Sequence, residues 1–210
     1  PQPMWLLVRD NKWDDIVLIH SNKNSNLIGM TFTEIGRSRG TDPYDAAFDL
    51  LIEEGEEMGS LLWSSKAFRE EDIIMCLQQP ECAVISDTTA LAPYGALKNN
   101  IGSISGYGWA ARFFQDYVND KKILTLTEAI RRITSLPAER LGLIKRGKLK
   151  KSFYADICVF DPQKIKNNCD LKNLKTYPSG IEHVIVNGVF AVKKGNRTEF
   201  DGGQVLRKFN

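Results

Sequence analysis

Cys82-Ala83-Val84-Ile85-Ser86-Asp87 is the stretch on which the reading of the fold turns. Small and β-branched residues in a row predict a strand buried on both faces, as in a parallel sheet. The run stops abruptly at Asp87, and α/β folds place their chemistry at the C-terminal ends of parallel strands. Thr88-Thr89-Ala90-Leu91-Ala92-Pro93-Tyr94-Gly95 follows with turn residues and no helical period, which suits a loop over a cleft. The plainer reading of Asp87 is a carboxylate that caps a turn or the next helix.

On the N-terminal side the pattern is strand, helices, strand. Trp13-Asp14-Asp15 reads as an entry turn, and Ile16-Val17-Leu18-Ile19-His20 as a short buried strand with His20 at its end. Thr31 and Glu34 have capping-box spacing at the head of a short helix that Gly40 closes. Asp42-Pro43 opens a second helix, with Ala46, Ala47, Leu50 and Leu51 on its apolar face. Its acidic end, Glu53-Glu54-Gly55-Glu56-Glu57, reads as a solvated helix terminus. Leu61-Leu62-Trp63-Ser64 is too short to classify. Glu70 to Leu77 is a helix with acids in its first turn, ending before Pro80. This order is the βαβ logic of a parallel sheet, with helices returned to the outside.

On the C-terminal side a long loop rich in Gly, Ser and Asn runs to Ser105-Gly106-Tyr107-Gly108-Trp109, and loops of that length are usually functional or mobile. Tyr94, Tyr107 and Trp109 flank it and are the candidates to line a substrate cleft; packing the loop down is the alternative. Helices follow at Ala110 to Val118, from Thr125 (again with Glu three residues on) and at Ser135 to Leu141, closed by Gly142. From Gly147 the pattern changes. Ala155 to Asp161 is a strand stopped by Asp-Pro, and Ile181 to Val192 is a hairpin with Asn187-Gly188 at its bend. This tail is predicted as a small antiparallel β unit with Phe153, Val159, Val184, Val186 and Val192 in its core. Lys145-Arg146-Gly147-Lys148-Leu149-Lys150-Lys151 between the two parts reads as a solvated linker.

Composition excludes several classes. Hydrophobic residues make up 42% and charged ones 26%, an ordinary globular balance. A net charge of +2 implies neither a nucleic-acid nor a membrane partner, and no apolar run approaches the ~20 residues of a membrane span. The opening Pro1-Gln2-Pro3-Met4 shows no signal peptide and reads as a processed chain or a piece of something longer. Cys76, Cys82, Cys158 and Cys169 form no Cys-x-x-Cys pair; Cys82 and Cys158 lie in apolar runs where cysteine behaves as a small hydrophobe. Reduced thiols and a cytoplasmic location are the expectation.

Several ordered motifs carry a resemblance. They are Thr134-Ser135-Leu136-Pro137-Ala138-Glu139-Arg140-Leu141-Gly142-Leu143, Arg146-Gly147-Lys148-Leu149, Tyr154 to Pro162 and Gly180 to Gly188. Gly40 to Leu51 and Ile85-Ser86-Asp87 precede them in the matching order. Together they resemble the C-terminal part of the amidohydrolases, and most of all the N-acyl-D-amino-acid deacylases, or D-aminoacylases. The resemblance implies an α/β fold: the last strands and helices of a TIM-type (β/α)₈ barrel over 1–145, then part of a β-sandwich over 146–210. A whole barrel takes roughly 250 residues, so this one is incomplete.

The resemblance also implies a chemistry. Asp87 matches the family's aspartate that binds or adjoins the metal and handles the proton of the attacking water. Zinc lowers the pKa of a bound water toward ~7, and a carboxylate can take its proton and return it to the leaving amine. Family members carry a His-x-His and further ligands on earlier strands, which this chain lacks; three or four clustered ligands are needed. His183 falls at a sandwich position and is excluded from the site. Many relatives have a histidine soon after the aspartate, where Ser103-Ile104-Ser105-Gly106-Tyr107-Gly108-Trp109 stands here. Ser152-Phe153 stands where the family usually has a glycine. The implied function is thus a zinc-dependent amide hydrolase for a small N-acyl amino acid, inactive as this chain alone. Its partner would be a missing N-terminal portion or a second chain, and exposed strand edges would favour self-association. The alternatives are a non-catalytic scaffold subunit and a hydantoinase-like cyclic amidohydrolase.

Overall fold

The computed structural model describes residues 4–66, 68–88, 92–96, 98, 106–171, 173–199 and 202–207. Among them the chain forms two compact units, one built on Pro1–Ile73 with Ala90–Ile104 and Asp170–Leu174, the other on Ile74–Thr89, Ser105–Cys169 and Lys175–Asn210.

In the first unit, α1 (Met4–Arg9) leads through a single turn at Trp13–Asp15 into β1 (Ile16–His20). Helix α2 (Phe32–Arg39) starts at a reciprocal cap: the Thr31 hydroxyl accepts from the Glu34 amide, and the Glu34 carboxylate accepts from the Thr31 amide. Gly40, in the left-handed conformation at φ 69°, ends it. Helix α3 (Pro43–Glu54) is capped by the Asp42 carboxylate, which accepts from the Tyr44 and Asp45 amides. Leu18, Ile35, Ala46 and Leu50 are sealed from solvent, with Trp13, Ile16 and Phe32 beside them.

Two expectations fail in this unit. The unclassified Leu62 lies in a strand, β2 (Leu62–Ser65), which pairs with β1 in antiparallel sense, Leu18 opposite Trp63. The sheet edge of β1 is therefore met by an antiparallel neighbour, and no described strand pair is parallel. The acidic terminus of α3 is not wholly solvated either. Glu54 is 1% exposed, because its carboxylate accepts from the buried Ser21 hydroxyl and the Lys23 amide and so closes the turn after β1.

The second unit follows α4 (Glu70–Leu77), whose first half still belongs to the first. Helix α5 (Trp109–Phe114) widens into a π-helical turn at Gln115–Asp120. Phe113 and Phe114 are buried, and the Phe114 ring lies 5.1 Å from Phe160. Helix α6 (Leu126–Ile133) is capped by Thr125, whose hydroxyl accepts from the Glu128 amide. Helix α7 (Ser135–Arg140) follows directly.

The tail is the antiparallel unit read from the sequence: β3 (Ile157–Phe160), β4 (Ile181–Val186), β5 (Val189–Lys193) and β6 (Asn196–Arg197), in that spatial order. Asn187 and Gly188 at the first bend both have positive φ, 49° and 85°, as a two-residue hairpin turn demands. The expected core is thinner than predicted. Val159 is 43% exposed, while Phe153, Val184, Val186 and Val192 are half-buried. One sheet layer covers one face only, so its residues stop short of full burial. Cys158 is exposed as well and fills no core position.

The basic junction is also more than a solvated linker. The Arg146 guanidinium pairs with Asp156, donates to Asn187 Oδ1 at 2.7 Å, and lies over the Tyr154 ring at 4.1 Å. It ties the turn before β3 to the bend between β4 and β5. The lysines around it remain exposed.

Candidate functional site

The Cys82–Asp87 segment forms neither helix nor strand, so the predicted buried strand is not formed. A strand is defined by a neighbour that takes its backbone groups, and apolar sequence cannot provide one. Cys82, Ala83, Val84 and Ser86 are half-buried, whereas Ile85, 72% exposed, and Asp87 face solvent.

Helix α6 holds this segment. The Val84 amide donates to the Arg132 carbonyl at 2.9 Å, and Arg132 Nη1 donates to the Cys82 carbonyl at 3.2 Å. Arg131 Nη2 donates to the Pro80 carbonyl. Both arginines are bound by one carboxylate: Glu128 accepts from Arg131 Nε and Nη2 at 2.8 Å and from Arg132 Nε at 2.9 Å. The Arg131 hydrogen bonds, outweighing the cost of partial burial and helped by Arg132, hold the Glu128 carboxyl down to about 2. Arg132 itself is 2% exposed, a buried cation acceptable only because it is paired.

Of the predicted site residues, the second unit contains Asp87, Tyr107 and Trp109. Asp87 ends the clamped segment with its side chain exposed. Tyr107 packs edge-on against Tyr177 at 5.3 Å, and Trp109 is the first residue of α5. Gly108 lies between them, and a Cβ there would meet the Asn167 side chain and displace it. Asn167 is fixed in turn, its amide donating to Gln115 Oε1 at 3.2 Å and its Oδ1 accepting from the Cys169 amide at 3.0 Å. Tyr94 falls in the first unit and is 45% exposed. Thr89 to Leu91, Leu97 and residues 99–105 of the long loop lie outside the described residues, and with them the Ser103-Ile104-Ser105 stretch where relatives carry a histidine. Residues 1–3 of the opening also lie outside them.

His20 ends β1 in the first unit, its Nδ1 2.9 Å from the Ser60 carbonyl. His183 sits in β4, where its Nδ1 accepts from the Lys194 amide at 3.2 Å and its ring meets Phe190. Among the described residues no three His, Cys, Asp or Glu side chains gather closely enough to hold a metal ion. Asp87 alone does not make a metal site. No described helix is long and apolar enough to cross a membrane.

Sequence reasoning missed the Glu128–Arg131–Arg132 group. Its signal was present in Leu126-Thr127-Glu128-Ala129-Ile130-Arg131-Arg132, where a carboxylate has arginines three and four residues on. What the spacing could not show is that the guanidinium groups reach across to a segment 50 positions earlier.

Comparison with known proteins gives this geometry a context. A profile described as the amidohydrolase family matches residues 82–192. The N-acyl-D-glutamate deacylase of Alcaligenes xylosoxydans xylosoxydans is 29% identical over 202 residues, which is 95% of this chain and 38% of the relative. The N-acyl-D-aspartate deacylase of the same organism is 33% identical over 101 residues, 48% of this chain and 20% of that protein. Among solved structures, the N-acyl-D-glutamate deacylase of Bordetella bronchiseptica, complexed with zinc and a phosphonate inhibitor, superposes with a TM-score of 0.68 at 26% identity. It is matched over 90% of this chain and 38% of its own. A D-aminoacylase structure gives a TM-score of 0.70 at 22% identity, covering 88% of this chain and 36% of that one, and so shares the fold. The chain spans less than two fifths of the length of the curated relatives it matches.

Proposed function

The chain belongs to the amidohydrolase family, and from that premise we propose that it is the C-terminal portion of a hydrolase that cleaves the amide of an N-acyl-D-amino acid. The observation that carries this is the family match beginning at Cys82, which places the Asp87 segment inside the matched region. The deacylase likeness along 95% of the chain supports the substrate class. Residues 1–145 are proposed as the last part of the barrel and 146–210 as part of the sandwich.

In this reading Asp87 is the proton-handling carboxylate. Water adds to the amide carbonyl carbon and gives its proton to Asp87. The C–N bond then breaks as Asp87 returns that proton to the departing nitrogen. The products are a carboxylic acid and the amine of the free D-amino acid, the acid's proton then passing to the amine to leave carboxylate and ammonium, while Asp87 ends in the state in which it began. Asp87 is exposed at the end of its segment, where a substrate can reach the carboxylate. Tyr107, packed against Tyr177, and Trp109 are proposed as a substrate-facing wall. Zinc is proposed for the complete enzyme, with ligands other than Asp87 coming from outside the described residues. The 210-residue chain is accordingly proposed to need its N-terminal portion, or a second chain carrying it.

The test uses the full-length protein that carries this chain, with N-acetyl-D-glutamate, N-acetyl-D-aspartate and N-acetyl-D-leucine. Release of free D-amino acid is expected for at least one of them, sensitive to a chelator. Asp87→Asn should lower kcat by about 10²- to 10⁴-fold. Residues 1–210 alone should release none. Hydrolysis by the 210-residue chain, or an undiminished rate in Asp87→Asn, would refute the assignment.

A further inference from the structure

Resting on that reading of Asp87, we propose that Arg132, seated by Glu128 and seconded by Arg131, is the positioning residue of the site. It holds the Pro80–Asp87 segment by its backbone groups and so sets where Asp87 stands.

The pattern of the contacts is what points to this. The groups taken by α6 are the Pro80 carbonyl, in the turn that the Cys82 amide closes on the Gln79 carbonyl, and then the Cys82 carbonyl and the Val84 amide, two residues apart. Helix α6 thus holds three backbone groups of the segment, using two guanidinium groups as donors and one main-chain carbonyl as acceptor. That carbonyl, of Arg132, lies in the last turn of α6, where helix carbonyls have no partner within the helix. Asp87 lies three residues beyond Val84, at most about 10 Å along the chain. A shift at the clamp is therefore carried to the carboxylate.

The charge arrangement fits positioning. Arg132 is buried and planar, and its fork spans two acceptors at once, Glu128 Oε1 and the Cys82 carbonyl. Lysine could reach either but would hold neither direction. Glu128 lies in the first turn of α6, its amide bonded to the Thr125 hydroxyl, so the clamp is referenced to a capped helix and not to a loop.

The experiment compares Arg132→Lys and Glu128→Gln with the parent in the full-length protein. It follows N-acyl-D-amino-acid hydrolysis and the hydrogen exchange of the Val84 amide. Expected is a fall in kcat of about 10- to 100-fold with KM within about twofold. Val84 exchange should rise about tenfold while the amides of β1 are unchanged. In Arg132→Ala, added methylguanidinium should restore part of kcat; if that variant does not fold, the two conservative ones carry the test. Unchanged Val84 exchange would overturn the clamp itself. Faster exchange at an unchanged kcat would leave it a structural tie and overturn the positioning role. Failure of the functional reading shows separately, as full activity in Asp87→Asn, whereas failure of this proposal leaves Asp87→Asn impaired.

Discussion

Ile16–His20 and Cys82–Asp87 look alike in sequence, each an apolar run ending in a residue able to do chemistry, yet the structure treats them differently. Ile16–His20 becomes β1, with an antiparallel neighbour and Leu18 sealed from solvent. Cys82–Asp87 forms no ladder among the described residues, exposes Ile85, and is held by arginine side chains from a helix. The difference teaches that an apolar run does not make a strand by itself; a strand also requires a partner for its backbone groups. Where the partner is absent from a segment's surroundings, side chains can take its backbone groups.

The sharpest way to break the comparison is to remove one side chain from each run. Leu18→Ala deletes a fully buried side chain in a packed cluster with Phe32, Ile35 and Leu50. It should cost about 3–5 kcal/mol, read as a lower urea midpoint at unchanged slope. A loss under about 1 kcal/mol would mean that β1 is not the centre of its unit.

Acid gives the next largest contrast, because one tether titrates and the other does not. Glu128 has its carboxyl lowered by Arg131 and Arg132 to about 2, below its ordinary value of 4.5. A lowered carboxylate contributes stability that is present above the unfolded value and lost as the pH falls through the folded one. Clamp protection at Val84 should therefore be full above pH 4.5 and fade between pH 4.5 and about 2. The Leu18 amide, bonded to the Met30 carbonyl at 3.0 Å, should lose none of its relative protection to this group. Hydrogen exchange across that window checks it, and Glu128→Gln should remove the difference.

The contrast also shows what the sequence could convey. Local chemistry was legible: the Thr31–Glu34 box, the Asp42 cap with Pro43 behind it, and the Asn187-Gly188 bend each act within four residues and appear as expected. Distant pairing was not. The strand status of Cys82–Asp87, the burial of Glu54 under Ser21 and the seating of Arg146 on Tyr154 and Asn187 depend on groups from 8 to 50 residues away. A charged residue reads as solvated until its partner is known, and the penalty for burying it vanishes only when that partner is in place.

The smallest expected effect is the most informative about what surrounds Asp87. Ile85 is 72% exposed, so Ile85→Ser in the 210-residue chain should change stability by less than about 0.5 kcal/mol. In the full-length protein the proposed barrel gives this segment neighbouring strands, and Ile85 would then lose its exposure. The same substitution should there cost about 1.5–3 kcal/mol, the worth of burying such a side chain. Paired denaturation of the two lengths measures the difference directly. An equal, small cost in both would mean that nothing covers Ile85 in the longer protein, and the segment carrying Asp87 would owe its position to α6 alone.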